Sequence, residues 1–144
     1  MDKRVDTTRL QKMARAYTAS AVLYAALDVS LFTHVSGGQN SEISLIEATG
    51  LRPVDVDRLV SCALSLELLD WEGGHLVNSP DVEAYLVEGK ARYAGAWMMF
   101  TRPDVEGWFE MTQKMREPES SKLGMYQELT VDSARKYHRA TSSI

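Results

Sequence analysis

The sequence predicts a mainly α-helical chain with one small β-hairpin, whose residues 41–78 have the outline of a winged helix. Three observations predict it. Ser41 stands where a helix N-cap belongs, and Gly50 where a helix stops. Pro53 opens a second helical pattern, in which Val56, Leu59, Val60, Ala63 and Leu64 follow the spacing of a single apolar stripe. Asp70-Trp71-Glu72 and His75-Leu76-Val77 then flank Gly73-Gly74, which reads as two short strands around a tight turn. The Ser41-x-x-Ser44 spacing lacks the Glu or Gln of a full capping box.

A winged helix either places its second helix in a DNA groove or serves as a packing module. Here the expected outer face of the second helix carries Asp55, Asp57, Arg58, Ser61 and Ser65, and the wing adds Asp70, Glu72 and His75. DNA affinity comes largely from Lys and Arg meeting phosphates, and this face is neutral to acidic. No nucleic-acid partner is expected. The competing reading, a winged-helix DNA-binding regulator, is kept as an alternative.

A chain of 144 residues with 44% hydrophobic content is large enough for one domain with a real core. Its net charge of −4 argues against general association with nucleic acid or anionic membrane. Cys62 is the single cysteine, which excludes an intramolecular disulfide and a cysteine-based zinc cluster. Its place within the second helix reads as a small, partly buried thiol. The N-terminus lacks an apolar signal segment, and the apolar stretch 19–32 contains Asp28 and is too short to span a bilayer. A cytoplasmic protein without a membrane partner is expected.

In chain order, residues 1–8 are expected to fray, and residues 9–32 read as helical and increasingly apolar. After Ala19 the apolar residues spread over much of the circumference, which marks a helix buried in a large core or against a partner. A domain this small has difficulty burying such a helix alone, so an oligomer or a second domain is implied. Gly37-Gly38-Gln39-Asn40 turns into the winged helix. Ser79-Pro80-Asp81 starts a helix expected to reach residue 87, with Gly89 ending it. Residues 93–99 read as another helix, Pro103 as an interruption, and 104–116 as a further helix. Residues 118–122 read as a loop and 131–140 as a tail helix.

Catalytic signatures are missing. There is no glycine-rich phosphate loop, and His34, His75 and His138 do not form a metal-binding pair. His34 reads as a helix-end residue and His75 as a solvated turn neighbour. The scattered carboxylates promote none to a general acid. The one functional hint is the Trp, Met and Phe cluster between Trp97 and Met115. It reads either as core or as a flat apolar ligand wall, a role that suits adaptable methionines and aromatic rings.

The order of elements also carries a resemblance. Tyr17-x-x-Ser20-Ala21-x-Leu23-x-Ala25-Ala26-Leu27-Asp28-x-x-Leu31-Phe32 resembles the opening helices of small-molecule O-methyltransferases that use S-adenosylmethionine. Ser41-x-x-x-Leu45-x-x-Ala48-Thr49-Gly50-Leu51, then Asp57-Arg58-Leu59, Leu64 and Leu69, resemble that family's winged-helix segment. Leu76-x-Asn78-Ser79-Pro80 and Tyr85-Leu86-Val87 continue it, so the match covers residues 13–115. The resemblance implies an N-terminal dimerisation and substrate-capping domain, intertwined with a second subunit. It divides the chain into dimer helices at 9–35, a helix-turn-helix with wing at 41–78, capping helices at 79–116, and a linker with tail helix at 117–144.

On that resemblance, Tyr17, Ala21, Tyr24 and Leu27 are candidates for the homodimer contact. Trp97, Met98, Phe100, Trp108 and Met111 are candidates for the wall around an aromatic or polyketide-like substrate. S-adenosylmethionine would be the cofactor of the parent enzyme. Its glycine-rich site, and the catalytic base, belong to a doubly wound half absent from this sequence. No catalytic or cofactor-binding residue is therefore assigned, no metal ligand is found, and the chain alone is expected to be inactive. A stand-alone helical ligand-binding or adaptor protein remains a further alternative.

Overall fold

The computed structural model describes residues 6–116 and 130–141. The expected loop at 118–122 lies outside the described residues, as does most of the segment joining it to the tail helix. The chain forms two compact units, Met1–Ser79 and Pro80–Ile144.

The first unit opens with three helices, α1 (Thr8–Arg15), α2 (Tyr17–Asp28) and α3 (Leu31–Ser36), where one continuous run was expected. The break after α1 is slight. Ala16 keeps helical angles, but its N–H donates to the Met13 carbonyl, while the Thr18 hydroxyl donates to the Arg15 carbonyl at 2.8 Å. Such a local side-chain bond competes with the regular ladder. The second break is sharp. Ser30 takes the left-handed conformation at φ 51°, which ends α2 and redirects the chain. The turn lets Leu31, Phe32 and Val35 all enter the core, which a straight continuation of α2 would not arrange.

α4 (Glu42–Thr49) is capped at both ends as the sequence predicts. Ser41 accepts from the Ser44 N–H, and Gly50 adopts φ 69°. The reciprocal bond is also present, with the Ser41 N–H donating to the Ser44 hydroxyl at 3.1 Å. Ser44 thus completes the capping box that the missing Glu or Gln argued against, because a serine hydroxyl at N3 reaches back as well. α5 (Pro53–Ser65) begins with its proline in the first turn. Val56, Val60 and Ala63 of its stripe are fully buried, and Leu59 and Leu64 partly so. Cys62 is exposed, which corrects the expectation of a partly buried thiol. It lies one position from the buried Ala63, about 100° around the helix, and so off the packed face.

α5 ends in a Schellman motif: the Leu68 N–H donates to Ala63, the Glu67 N–H donates to Leu64, and Glu67 itself stands at φ 58°. The wing follows as β1 (Leu69–Glu72) and β2 (His75–Asn78), antiparallel, with Leu69 opposite Asn78 and Trp71 opposite Leu76. Gly73 and Gly74 both have positive φ, as a two-residue hairpin turn requires. Three bonds tie the wing down. The Leu76 N–H donates to Asn40, the Ser79 N–H to Leu68, and the Asn78 side-chain amide to the Phe32 carbonyl at 2.9 Å. α2 packs on α3 and α5, α4 on α3 and α5, and β2 on α3, around Phe32, Leu31, Leu45 and Leu76.

The second unit contains α6 (Pro80–Tyr85), α7 (Gly95–Phe109), α8 (Met111–Arg116) and α9 (Val131–Thr141). Two expectations are corrected here. α6 ends two residues before the expected position. More importantly, α7 runs straight through Pro103, and the helical break falls at Glu110 instead. Proline in a helix interior costs about 3 kcal/mol through one missing bond and a ring clash. α7 continues all the same and packs along α9, a cost of that size being within what the tertiary packing of a helix can override. The loop between α6 and α7 is closed by the Ala94 N–H donating to Tyr85 at 2.7 Å and by an ion pair of Lys90 with Glu83.

Candidate functional site: an aromatic cluster on α7 and α9

α7, the longest helix among the described residues, supplies most of the candidate site. Gly95 and Ala96 begin α7, and Trp97 and Phe100 follow three residues apart, on one face. Their rings stack at a centroid separation of 5.8 Å and an interplanar angle of 23°. Tyr137 of α9 meets both rings edge-on, with centroids 6.0 Å from each. Offset stacking together with edge-to-face contact satisfies the aromatic quadrupoles and holds all three planes in fixed relation. All three rings keep part of their surface accessible, with Tyr137 at 38%.

The five candidates for a ligand wall divide into two groups. Trp97, Met98 and Phe100 are half-buried near the start of α7. Trp108 is 68% exposed and Met111 44% exposed, alongside the exposed Phe109 and Met115. Trp108 lies eight residues beyond Phe100 on the same helix, about 12 Å along its axis, so the two groups form separate patches. Tyr137 was not anticipated from the sequence. The buried Ala140, three residues on, is its apolar neighbour on α9.

The start of α7 leaves no room for a side chain at its first residue. Gly95 is buried, and a Cβ placed there would overlap the phenol ring of Tyr93. This glycine is required by proximity and not by its backbone angles. Burial, reinforced by the negative charge of Glu88, raises the Tyr93 hydroxyl above its ordinary value of 10.0.

The dimer candidates occupy the other unit. Tyr17 is 52% exposed, Ala21 is exposed, Tyr24 is half-buried, and Leu27 at 7% belongs to this unit's own core. α1 buries no residue at all, and its Leu10 and Met13, with Tyr17 at the start of α2, are each more than half exposed. At the start of α5, Arg52 and Arg58 both pair with Asp55, which offsets part of the positive charge there. Hydrogen bonding from Arg52 accordingly lowers the Asp55 carboxyl, and Asp55 raises Arg52. Among the described residues no cluster of His, Cys, Asp or Glu could hold a metal ion, and no helix is long and apolar enough to cross a membrane. His34 sits in the last turn of α3, and His75 is exposed in the wing.

No known family model matches the sequence. The structure of human N-acetylserotonin methyltransferase in complex with S-adenosylmethionine superposes on 99% of this chain with a TM-score of 0.75 at 16% identity. The chain shares its fold with O-methyltransferases. An O-methyltransferase family protein from Burkholderia thailandensis matches 80% of the chain with a TM-score of 0.68 at 22% identity. The N,N-dimethyltransferase OxyT of Streptomyces rimosus is 24% identical over 112 residues, 77% of this chain. The chain spans only part of each relative: 33% of OxyT, 34% of the Burkholderia protein and 47% of the human enzyme. That partial coverage is consistent with one domain of a methyltransferase.

Proposed function

We propose that this chain is the dimerisation and substrate-capping region of an S-adenosylmethionine-dependent methyltransferase acting on a planar aromatic or polyketide-like small molecule in the cytoplasm. The observation that carries the reading is the match of nearly the whole chain to less than half of a methyltransferase. The apolar surface of α1 supports homodimerisation, since Leu10 and Met13 are each more than half exposed and the helix buries none of its residues. Trp97, Phe100 and Tyr137 supply flat apolar surface that stacks on a ring and excludes water from it.

The cofactor does not fit the residues described. A dinucleotide-like site needs parallel strands and a glycine-rich turn, whereas the strands here are one antiparallel hairpin with a solvent-exposed Gly-Gly turn. The cofactor and the transfer step are therefore assigned to the remainder of the enzyme. The names of the relatives divide between oxygen and nitrogen as the methyl acceptor. An apolar, uncharged wall selects ring shape and leaves the accepting atom to the catalytic half.

The test is the intact mass of the native protein from its source cells, followed by its assay with S-adenosylmethionine and planar phenols. A mass well above 16.1 kDa, with methyl transfer by the full protein and none by this chain, supports the reading. A native mass of 16.1 kDa overturns it in favour of a stand-alone binding protein.

A further inference from the structure

We propose that Tyr93 and Gly95 are the positioning residues of the aromatic cluster: the phenol ring seated on Gly95 sets where α7 begins, and with it the planes of Trp97 and Phe100. The proposal rests on the cluster being a ligand wall only for its consequence in binding; its geometry stands alone. Gly95 is buried, and the atoms nearest to the Cβ it lacks all belong to the Tyr93 ring. Any side chain at 95 must therefore push either the ring or the helix. The ring can yield only by rotating about its own side-chain bonds, because the backbone that carries it is held. It is half-buried, and the backbone on both sides of it is bonded, with the Tyr93 N–H on Lys90 and the Ala94 N–H on Tyr85.

On this proposal the helix shifts with the ring. The Trp97 and Met98 N–H groups both donate to the Ala94 carbonyl, so the first turn of α7 hangs on the residue between Tyr93 and Gly95. Trp97 is two residues on from Gly95, about 3 Å along the axis. A displacement at Gly95 reaches it almost undiminished, and binding surfaces tolerate only about 0.5 Å of such movement before affinity falls. Tyr137 amplifies the effect. It meets Trp97 and Phe100 at similar distances, so a shift of α7 alters both edge contacts together.

The experiment is a double-mutant cycle of Gly95→Ala and Tyr93→Ala, with Tyr93→Phe as the conservative variant. Two readouts are taken: the near-ultraviolet circular dichroism band of the aromatic cluster, and the dissociation constant for 2-naphthol from tryptophan quenching. Far-ultraviolet spectra and melting curves establish that each variant is folded. Gly95→Ala is expected to change the near-ultraviolet band and weaken 2-naphthol binding about ten-fold while Tyr93 is present. In the Tyr93→Ala background the same substitution is expected to do neither, because the clash is gone. Tyr93→Phe, which keeps the ring, should behave as the parent. An unchanged band in Gly95→Ala, or an equal change with and without Tyr93, overturns the proposal. If Gly95→Ala does not fold, a folded Gly95→Ala/Tyr93→Ala double variant supports the proposal, and an unfolded one overturns it. Failure of the parent chain to bind 2-naphthol would count against the ligand wall alone, since the near-ultraviolet band still decides the positioning.

Discussion

Replacing Glu67 by glycine should stabilise the protein. Glu67 occupies the left-handed position of the Schellman motif that ends α5, at φ 58°, with both characteristic bonds present around it. A side chain in that conformation costs about 1–2 kcal/mol, through the approach of Cβ to the following carbonyl. Glycine removes this cost but loses about 0.5–1 kcal/mol to the greater freedom of the unfolded chain. The net gain is about 0.5–1 kcal/mol, which for a chain of this size raises the melting temperature by roughly 2–4 °C. The side chain is exposed, so little packing is lost. Thermal melts of Glu67→Gly and Glu67→Ala separate the causes. Alanine keeps the Cβ and should leave the melting temperature almost unchanged. Equal stabilisation by both would mean that the carboxylate and not the backbone was responsible, and no gain from glycine would refute the strain argument.

Three further outcomes are expected. Met13→Asp should convert a dimer into a monomer in light scattering at micromolar concentration. Each of the exposed Leu10, Met13 and Tyr17 surfaces offers about 1 kcal/mol on burial, and a charge among them cancels more than its own share. Ser41→Ala should cost about 1 kcal/mol in urea unfolding by removing the oxygen that caps α4. The raised Tyr93 hydroxyl makes stability pH-dependent in the alkaline range. Its contribution is fully present below the unfolded value of about 10 and is lost as pH rises through the higher folded value. Urea midpoints measured across that window should fall less steeply in Tyr93→Phe than in the parent chain.

The sequence by itself determined the elements with strong local chemistry. Ser41, Gly50, Pro53 and the Gly73-Gly74 pair fix backbone conformation within a few residues, so α4, α5 and the wing lie where their own side chains put them. The neutral-to-acidic face of α5 and the aromatic content of α7 were equally legible, because composition survives folding. Tertiary structure alone decided the rest. The left-handed turn at Ser30 has no local signature, since serine adopts it only because Leu31, Phe32 and Val35 gain a core by it. The helix continues through Pro103 against its local propensity, in an element that packs along α9, a neighbour no local pattern announces. Tyr137 joins Trp97 and Phe100 across nearly forty residues of sequence, a pairing that no local period encodes. Gly95 looks like an ordinary helix-boundary glycine until the Tyr93 ring is seen to occupy the space its side chain would need.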